Sequence, residues 1–274
     1  MKKYFSILYI LLIINNLFAD NKDLLPVGSR EVGMGGCSVV NIGLWSVSNN
    51  QAALGFMKNA AFGIHYENRF NVSGIGYKAF ATALPTNSGT FGLKINYFGY
   101  SNYNDLETGI GYGKSFGDRF SVGIQLNYLR TYIAHDYGST GIAMAEIGIL
   151  SEPIDNLFIG AHFYNITRAK YANTINQETV PSIFKFGAGY NFSDDAFLTA
   201  EIDKNIDYPM VFRAGIEFKI VDNFVLRTGI ATNSTLLSLG MGYKTKGISF
   251  DFAFSYHQYL GYSPFITLHY TFGE

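Results

Sequence analysis

The chain has little charge, little proline and almost no cysteine: 15% of its 274 residues are charged, and it has six prolines and one cysteine. About a quarter of the residues of a soluble domain are usually charged, so this composition is unusual for one. The single cysteine, Cys37, excludes an intramolecular disulfide. After residue 20 no run reaches the roughly 18 apolar residues of a transmembrane helix. A net charge of −1 gives no reason to expect nucleic acid as a partner.

The N-terminus has the layout of a secretory signal peptide. Lys2 and Lys3 precede an apolar run of 11 residues from Tyr4 to Ile14, and a polar stretch leads to Ala19. A retained membrane anchor is the alternative, but a spanning helix needs about 20 residues. The expected parts are, in order, a signal peptide (1–19), an N-terminal segment (20–57) and the main domain (58–274).

Glycine and aromatic residues are abundant instead, with 30 Gly, 24 Phe and 20 Tyr. Many aromatic residues alternate with small or polar ones, as in the stretch from Ile248 to His257, where Phe250, Phe252 and Phe254 share one side. Such alternation is typical of a β-strand with two different faces. An exported chain with this pattern and no spanning helix satisfies its backbone hydrogen bonds in lipid only as a closed barrel.

The alternating segments number 14, and an even number is expected of a bacterial single-chain barrel. They lie near residues 60–68, 72–84, 90–100, 105–115, 119–132, 141–150, 156–167, 182–192, 196–204, 209–220, 223–231, 236–245, 247–257 and 264–273. Connections after even-numbered segments are mostly short and several after odd-numbered ones are longer, which predicts that both termini face the periplasm. The sequence thus predicts an all-β fold, a transmembrane antiparallel β-barrel of about 14 strands. A soluble barrel or sandwich is the alternative, but its water-facing side should carry many lysines and glutamates.

Charged residues of the last seven segments share the face opposite to the aromatic residues, and we expect none on the outward face. The charges predicted to face the lumen are Lys185, Glu201, Asp203, Arg213, Glu217, Lys219, Arg227, Lys244 and Asp251. Five cations against four anions favour mutual pairing, because an unpaired charge in a narrow interior is costly. Two hypotheses remain open, a lumen closed by ion pairs and a polar lining that guides a solute.

Patterns of catalytic or metal-binding residues are weak. His257 shares a face with Asp251, but no serine or aspartate stands in a nucleophile motif. No cluster has metal-ligand spacing, and no phosphate-binding loop joins a strand to a helix. The sequence therefore predicts neither an enzyme nor a cofactor, and an outer-membrane hydrolase is the least favoured hypothesis.

A glycine-rich stretch and a second, asparagine-containing motif precede the first segment. The residues of the glycine-rich stretch are Gly28, Arg30, Gly33, Met34, Gly35 and Gly36. The second motif contains Asn50, Ala52 and Leu54. Together they resemble the start of FadL-like outer-membrane proteins of the PorV/PorQ branch, with a Gly-Ala-Arg-x-x-Gly-Met-Gly-Gly-Ala stretch and an Asn-Pro-Ala-Gly-Leu motif. Gln51 replaces the family proline and Ala53 the family glycine.

The resemblance implies a barrel in the outer membrane of a Gram-negative bacterium, with residues 28–57 folded inward as a plug or hatch. In such a segment the glycines would permit close approach to the wall, and Asn49 and Asn50 would hydrogen bond to lumen groups. Filling of the lumen and gating of the lumen are both compatible with this expectation.

The resemblance also implies that the barrel handles a cargo at the outer membrane. The expected partners are outer-membrane lipid and either a small hydrophobic solute that passes through, or a cargo or component of type IX secretion that docks. A structural or scaffolding barrel that conducts nothing is the alternative from another class.

Overall fold

The computed structural model describes residues 26–72, 74–135, 138–170, 180–232 and 237–273. The expected signal peptide lies outside this part of the chain. No helix within the described ranges is long and apolar enough to cross a membrane. Ahead of the strands, the chain forms two short helices, α1 (Ser29–Gly33) and α2 (Ser46–Asn49), and a 3-10 helix (Gln51–Phe56).

The rest of the chain forms 14 strands that close into a barrel. They are β1 (Ala61–Asn68), β2 (Gly76–Thr86), β3 (Gly89–Tyr100), β4 (Tyr103–Ser115), β5 (Phe120–Ile133), β6 (Gly138–Ile154), β7 (Leu157–Tyr164), β8 (Ile183–Ser193), β9 (Ala196–Asn205), β10 (Val211–Val221), β11 (Phe224–Ala231), β12 (Leu237–Thr245), β13 (Ile248–His257) and β14 (Gly261–Thr271). Each strand pairs with its neighbours in sequence, and antiparallel pairing of β1 with β14 closes the sheet. The predicted 14-stranded antiparallel barrel is confirmed.

Predicted and observed strand bounds agree within a few residues. β2 begins later than predicted, at Gly76, because the chain turns just before it, where the Ile75 N–H donates to the Val72 carbonyl. β6 runs further than predicted, to Ile154, with a register shift after Ser151. β14 begins earlier than predicted, at Gly261, because the hairpin before it is tight.

The two ends of the barrel differ in their connections. At the first, called the turn end below, five of the six connections are two residues long, for example 222–223 and 246–247. The other, called the loop end, carries the longest connection, residues 165–182 between β7 and β8. The predicted asymmetry does not extend to every loop, since residues 101–102 alone join β3 to β4.

The strand register separates an apolar outward face from a polar inward face. In β13, Phe250 is 43% exposed whereas Asp251 is 6% exposed. Exposed phenylalanine, isoleucine and leucine side chains continue around the wall, as expected of a surface in contact with acyl chains.

The expectation of an outward face without charge in the last seven strands is wrong at one position. Lys204 of β9 lies on the outward side, opposite Phe184 of β8. It is next to the last residue of its strand at the loop end, where its Nζ donates to the Tyr208 carbonyl at 2.6 Å. In a membrane barrel a charge at a strand end costs little, because the penalty falls toward the interface.

The chain before β1 lies against the inward face of the wall. Residues 26–57, called the inner segment below, are almost all buried. Trp45 packs against small inward alanines of β2, which leave room for its ring. Val39 and Val40 pack against Leu150 of β6 in a second apolar cluster. The inner segment therefore occupies part of the lumen.

Candidate functional site

Among the described contacts between the inner segment and the wall, three groups centre on charged side chains, and the first lies at α1. The Arg30 guanidinium donates two hydrogen bonds to the Glu217 carboxylate, both at 2.9 Å. Arg227 donates to the same carboxylate at 2.6 Å and to Asp251 at 2.6 Å. The four charges alternate in sign along a chain of ion pairs, which offsets part of the cost of removing them from bulk water.

The second group lies between α1 and α2 and centres on Glu201 of β9. The Glu201 carboxylate accepts hydrogen bonds from the backbone N–H groups of Ser38 and Val39, both at 2.7 Å. Lys185 Nζ lies 3.7 Å from the same carboxylate. A charge of the wall thus binds the main chain of the inner segment directly.

Arg213 of β10 extends this group to the turn that follows α1. It donates to the Gly35 carbonyl at 3.1 Å and to Asp203 at 2.8 Å. Gly35 and Gly36 have φ values of +74° and +85°, a left-handed conformation that glycine adopts at little cost. Met34, just before them, is fully buried. The turn directs the chain from α1 toward β9.

The third group surrounds Glu146 of β6, a residue that is not among the lumen charges predicted from the sequence. The Glu146 carboxylate lies 2.8 Å from Gln51 Nε2, 3.2 Å from Lys94 Nζ and 2.9 Å from His162 Nε2. Lys94 also pairs with Glu107 of β4 at 2.9 Å. The sequence does contain a signal for these residues, because the alternation of their strands places Lys94 and Glu146 on the inward face. It lies in the first seven segments, where the alternation is less regular.

The two asparagines expected to contact the wall differ in their partners. Asn50 donates to the Ile149 carbonyl of β6 at 3.2 Å and to the Val39 carbonyl at 2.7 Å. Asn49 exchanges two hydrogen bonds with the backbone of Val27, at 3.1 and 2.8 Å. Asn50 therefore joins the inner segment to the wall, whereas the Asn49 amide braces the inner segment itself.

Glycines of the wall stand where the inner segment approaches most closely. A Cβ atom on Gly229 of β11 would lie 2.0 Å from the Gly35 nitrogen. One on Gly33 of α1 would lie 3.1 Å from the Gly240 Cα atom of β12. The matched glycines of the sequence motif thus meet glycines of the wall, which permits contact between backbones.

Three predicted residues lie near the ends of the barrel. Lys219 pairs with Asp195 of the β8–β9 turn at 3.1 Å, and Lys244 is exposed at the turn end. His257, expected on the same side as Asp251, is the last residue of β13, and its Nδ1 accepts the backbone N–H of Tyr259 at 3.2 Å. Its ring therefore orders a hairpin at the loop end.

A cavity of about 570 Å³ lies at the turn end between the inner segment and strands β10–β14. Its apolar lining includes Ile42, Leu44, Trp45, Phe56 and Met57, and its charged lining includes Arg30, Glu31, Glu217, Arg227, Lys244 and Asp251. This volume is within the range of small-molecule sites, and its apolar side comes from the inner segment.

Glu31 is the buried acid of this cavity. Its Oε2 atom has no hydrogen-bond partner among the described residues, and it lies against Gly28 at the start of α1. Burial raises the pKa of the Glu31 carboxyl to about 7. Burial also raises the pKa of the Cys37 thiol, which makes this thiol unreactive while the inner segment is in place.

Fold and site together define the class: a closed 14-stranded antiparallel barrel whose own N-terminal segment occupies part of the lumen. No family model matches the chain, and no curated protein matches its sequence. Among solved structures, the toluene transporter TbuX of Ralstonia pickettii aligns with a TM-score of 0.69 at 14% identity, over 91% of this chain and 99% of that one.

Two further solved structures have the same architecture. The toluene transporter TodX of P. putida aligns with a TM-score of 0.69 at 11% identity, over 92% of this chain and 100% of that one. A Pseudomonas aeruginosa FadL homologue aligns with a TM-score of 0.64 at 13% identity, over 89% of this chain and 98% of that one. This chain therefore has the fold of FadL-like barrels.

Proposed function

We propose that the protein is a FadL-type outer-membrane barrel that passes a small hydrophobic solute and uses the inner segment as a hatch. The observation that carries the proposal is that the ion pair between Arg30 of α1 and Glu217 of the wall is only partly buried. The Arg30 side chain keeps 30% exposure while it pairs with Glu217. Ion pairs with access to water contribute only about 0–1 kcal/mol, so water can replace this one when α1 moves.

The other end of the inner segment is attached more firmly. Gln51 meets Glu146 in a fully buried cluster, and the 3-10 helix leads directly toward β1. Removing one partner of a buried charged contact costs about 3–5 kcal/mol. The hatch movement that we propose is therefore partial: α1 and the glycine turn leave the wall while the 3-10 helix stays.

Position in the membrane is supported by the outward face and the closed sheet. All strands find partners around the barrel, and the outward side chains are mainly apolar, which suits a hydrocarbon surrounding. β1 starts and β14 finishes at the turn end. The turn end therefore faces the periplasm, and the loop end faces the outside of the cell.

The solute class is inferred from the cavity and from the structural neighbours. The inner segment gives the cavity an apolar lining, including Leu44, Trp45 and Met57. TbuX and TodX are described as toluene transporters, and CymD is described as a monoaromatic hydrocarbon channel. A monoaromatic hydrocarbon is therefore the probe of choice.

The test measures the initial uptake of labelled toluene by intact Gram-negative cells that carry the protein. Glu217→Gln removes the charge that holds Arg30, and we expect it to raise uptake severalfold over the unchanged protein. Lys219→Gln is the matched control: it is the next inward charge on β10, and it pairs with Asp195 of a turn. We expect its uptake to be unchanged.

Heat-modifiable migration on a gel confirms that each variant forms a folded barrel. Uptake by the unchanged protein no faster than by cells without it would contradict solute passage. Equal uptake by the two folded variants would contradict the hatch role of α1 and leave passage itself in place.

A secretion-associated role is the second candidate. The observation that favours it is the PorV-like motif, whose residues Gly33–Gly36 form the turn against β10–β12. Such a barrel would hold a type IX secretion component or cargo and would conduct nothing. Affinity purification from detergent-solubilised outer membrane discriminates the two: a stoichiometric secretion partner without toluene uptake supports docking, and uptake without a partner supports passage.

A further inference from the structure

All charged side chains that the strand register places on the outward face, within the described ranges, are cationic. They are Lys78 of β2, Lys114 of β4, Arg130 of β5 and Lys204 of β9. No aspartate or glutamate among the described residues takes such a position. All four lie toward the ends of their strands, where a charge costs little, and their common sign favours anionic over neutral lipid head groups as neighbours.

Two of these cations belong to one row across neighbouring strands. Lys78 pairs in register with Tyr97 of β3, Tyr97 with Leu106 of β4, and Leu106 with Arg130. Three steps between strands separate the two Cα atoms by roughly 14 Å. Both residues lie close to the loop end of their strands, Lys78 at the start of β2 and Arg130 near the last residue of β5.

Aromatic rings hold both cations at the wall. Lys78 Nζ lies 5.7 Å from the centroid of the Tyr97 ring, and Arg130 Cζ lies 5.9 Å from that of Tyr132. Cation–π contacts at such distances favour these positions without neutralising the charge. Tyrosines at a membrane interface also present a hydroxyl at the level of the head groups. Lys78 and Arg130 therefore keep their positive charges, and the hydroxyl groups of Tyr97 and Tyr132 lie nearby.

We propose that Lys78 and Arg130 of this row, with the adjacent rings of Tyr97 and Tyr132, bind the phosphorylated sugar head group of an outer-leaflet glycolipid of the lipopolysaccharide type. Phosphate is the group that ammonium and guanidinium recognise most strongly at a lipid surface. Two cations about 14 Å apart suit a head group that carries phosphates at both ends of a disaccharide. The inference rests on the proposed outer-membrane position, in which the loop end faces the outside of the cell.

Purified full-length barrel in detergent is titrated with bisphosphorylated lipid A, with dephosphorylated lipid A and with phosphatidylglycerol. We expect lipid A to bind at least tenfold more tightly than the other two lipids. Lys78→Gln with Arg130→Gln should weaken lipid A binding roughly 25-fold, since each cation near a charged surface contributes about a fivefold effect.

Lys114→Gln is the matched control. It is also an outward cation beside an aromatic ring, 5.8 Å from the Phe116 centroid, but it lies at the turn end. We expect it to change lipid A binding less than twofold. Equal binding of all three lipids, or equal effects of the control and the double variant, would overturn the proposal. Heat-modifiable migration and toluene uptake report on the barrel separately, so a loss of lipid A binding alone leaves the proposed function standing.

Discussion

Individual charged side chains on the inward wall have several partners each, and this determines how they respond to substitution. Glu146 faces Lys94, His162 and Gln51 in a fully buried position. Removal of one member of such a cluster leaves the others charged or polar in a medium of low dielectric constant. Exposed pairs behave differently, because water takes the place of the missing group.

Glu146→Gln should therefore lower the free energy of unfolding by about 3 kcal/mol, the scale for removing one partner of a buried ion pair. Urea unfolding in lipid vesicles, followed by the fluorescence of the single tryptophan, Trp45, measures it. Asp155→Asn is the control, since Asp155 and its partner Arg119 are 84% and 56% exposed and should contribute less than about 1 kcal/mol. A loss for Glu146→Gln no larger than for the control would show that the cluster does not anchor the inner segment.

Glu31 gives the docked inner segment a dependence on pH. Its pKa is raised to about 7 from an ordinary value of 4.5, so the docked state favours the protonated carboxyl. The resulting stabilisation is fully present below about pH 4.5 and is lost as the pH rises through 7. The inner segment should therefore leave the wall more readily at pH 8 than at pH 5.

Maleimide labelling of Cys37 measures this opening, because the thiol is buried while the inner segment is docked. The labelling rate at each pH is divided by that of the denatured chain, which removes the titration of the thiol itself. We expect the ratio to rise from pH 5 to pH 8, and to rise less in Glu31→Gln. The same rise in both proteins would assign the pH dependence to other groups.

Part of the site can be predicted residue by residue from the sequence. Inward parity in the regular strands identifies Glu201, Arg213, Glu217 and Arg227, because a strand places alternate residues on one face. Which residue of the inner segment each one meets cannot be predicted in this way. The pair of Arg30 with Glu217 joins positions 187 residues apart, and only the closed barrel brings them together.

At the scale of elements, the fit of the inner segment depends on wall positions that lack a side chain. Gly229 of β11 leaves room for the Gly35 backbone, and Gly123 of β5 leaves room for the backbone of Gln51. In both cases a Cβ atom would lie closer than 2.5 Å to a backbone atom of the inner segment. Neither backbone can yield to a new methyl group without a shift of the segment.

Gly229→Ala should therefore displace α1 and the glycine turn without opening the barrel. We expect at least a tenfold rise in Cys37 labelling, with unchanged heat-modifiable migration. Gly76→Ala is the control, because a Cβ atom there would contact the Tyr66 ring at 3.3 Å and the Glu67 carbonyl oxygen at 3.6 Å, both on β1 and not on the inner segment. Unchanged labelling in Gly229→Ala would mean that the inner segment does not lie against β11.

The strands themselves are the most predictable elements. Alternation predicts all 14, because an apolar outward face and a polar inward face impose a period of two on every strand. The differences occur at strand ends. β6 extends to Ile154 through an irregular register that no alternation reveals. The alternation of β13 predicts His257 on the same face as Asp251, and as the last residue of that strand it orders the hairpin that follows.

The whole molecule has three surfaces that differ in their chemistry. The outward face is apolar with a few cations, the inward wall carries paired charges, and the inner segment covers part of that wall. The contact of Gln51 with Glu146 is fully buried, whereas the pair of Arg30 with Glu217 is partly exposed, so a movement of α1 and the glycine turn would open space beside the cavity at the turn end. We propose that solute passage requires that movement.

A reversible covalent lock tests this claim most directly. Cys37 Sγ lies 3.9 Å from the carbonyl oxygen of Thr199 in β9, so Thr199→Cys provides a second thiol next to it. Toluene uptake by cells carrying this variant is measured before and after reduction, with the unchanged protein as the control for the oxidant and the reductant. We predict that the disulfide-locked protein takes up toluene no faster than cells without the barrel and that reduction restores uptake. Undiminished uptake by the locked protein would contradict the account.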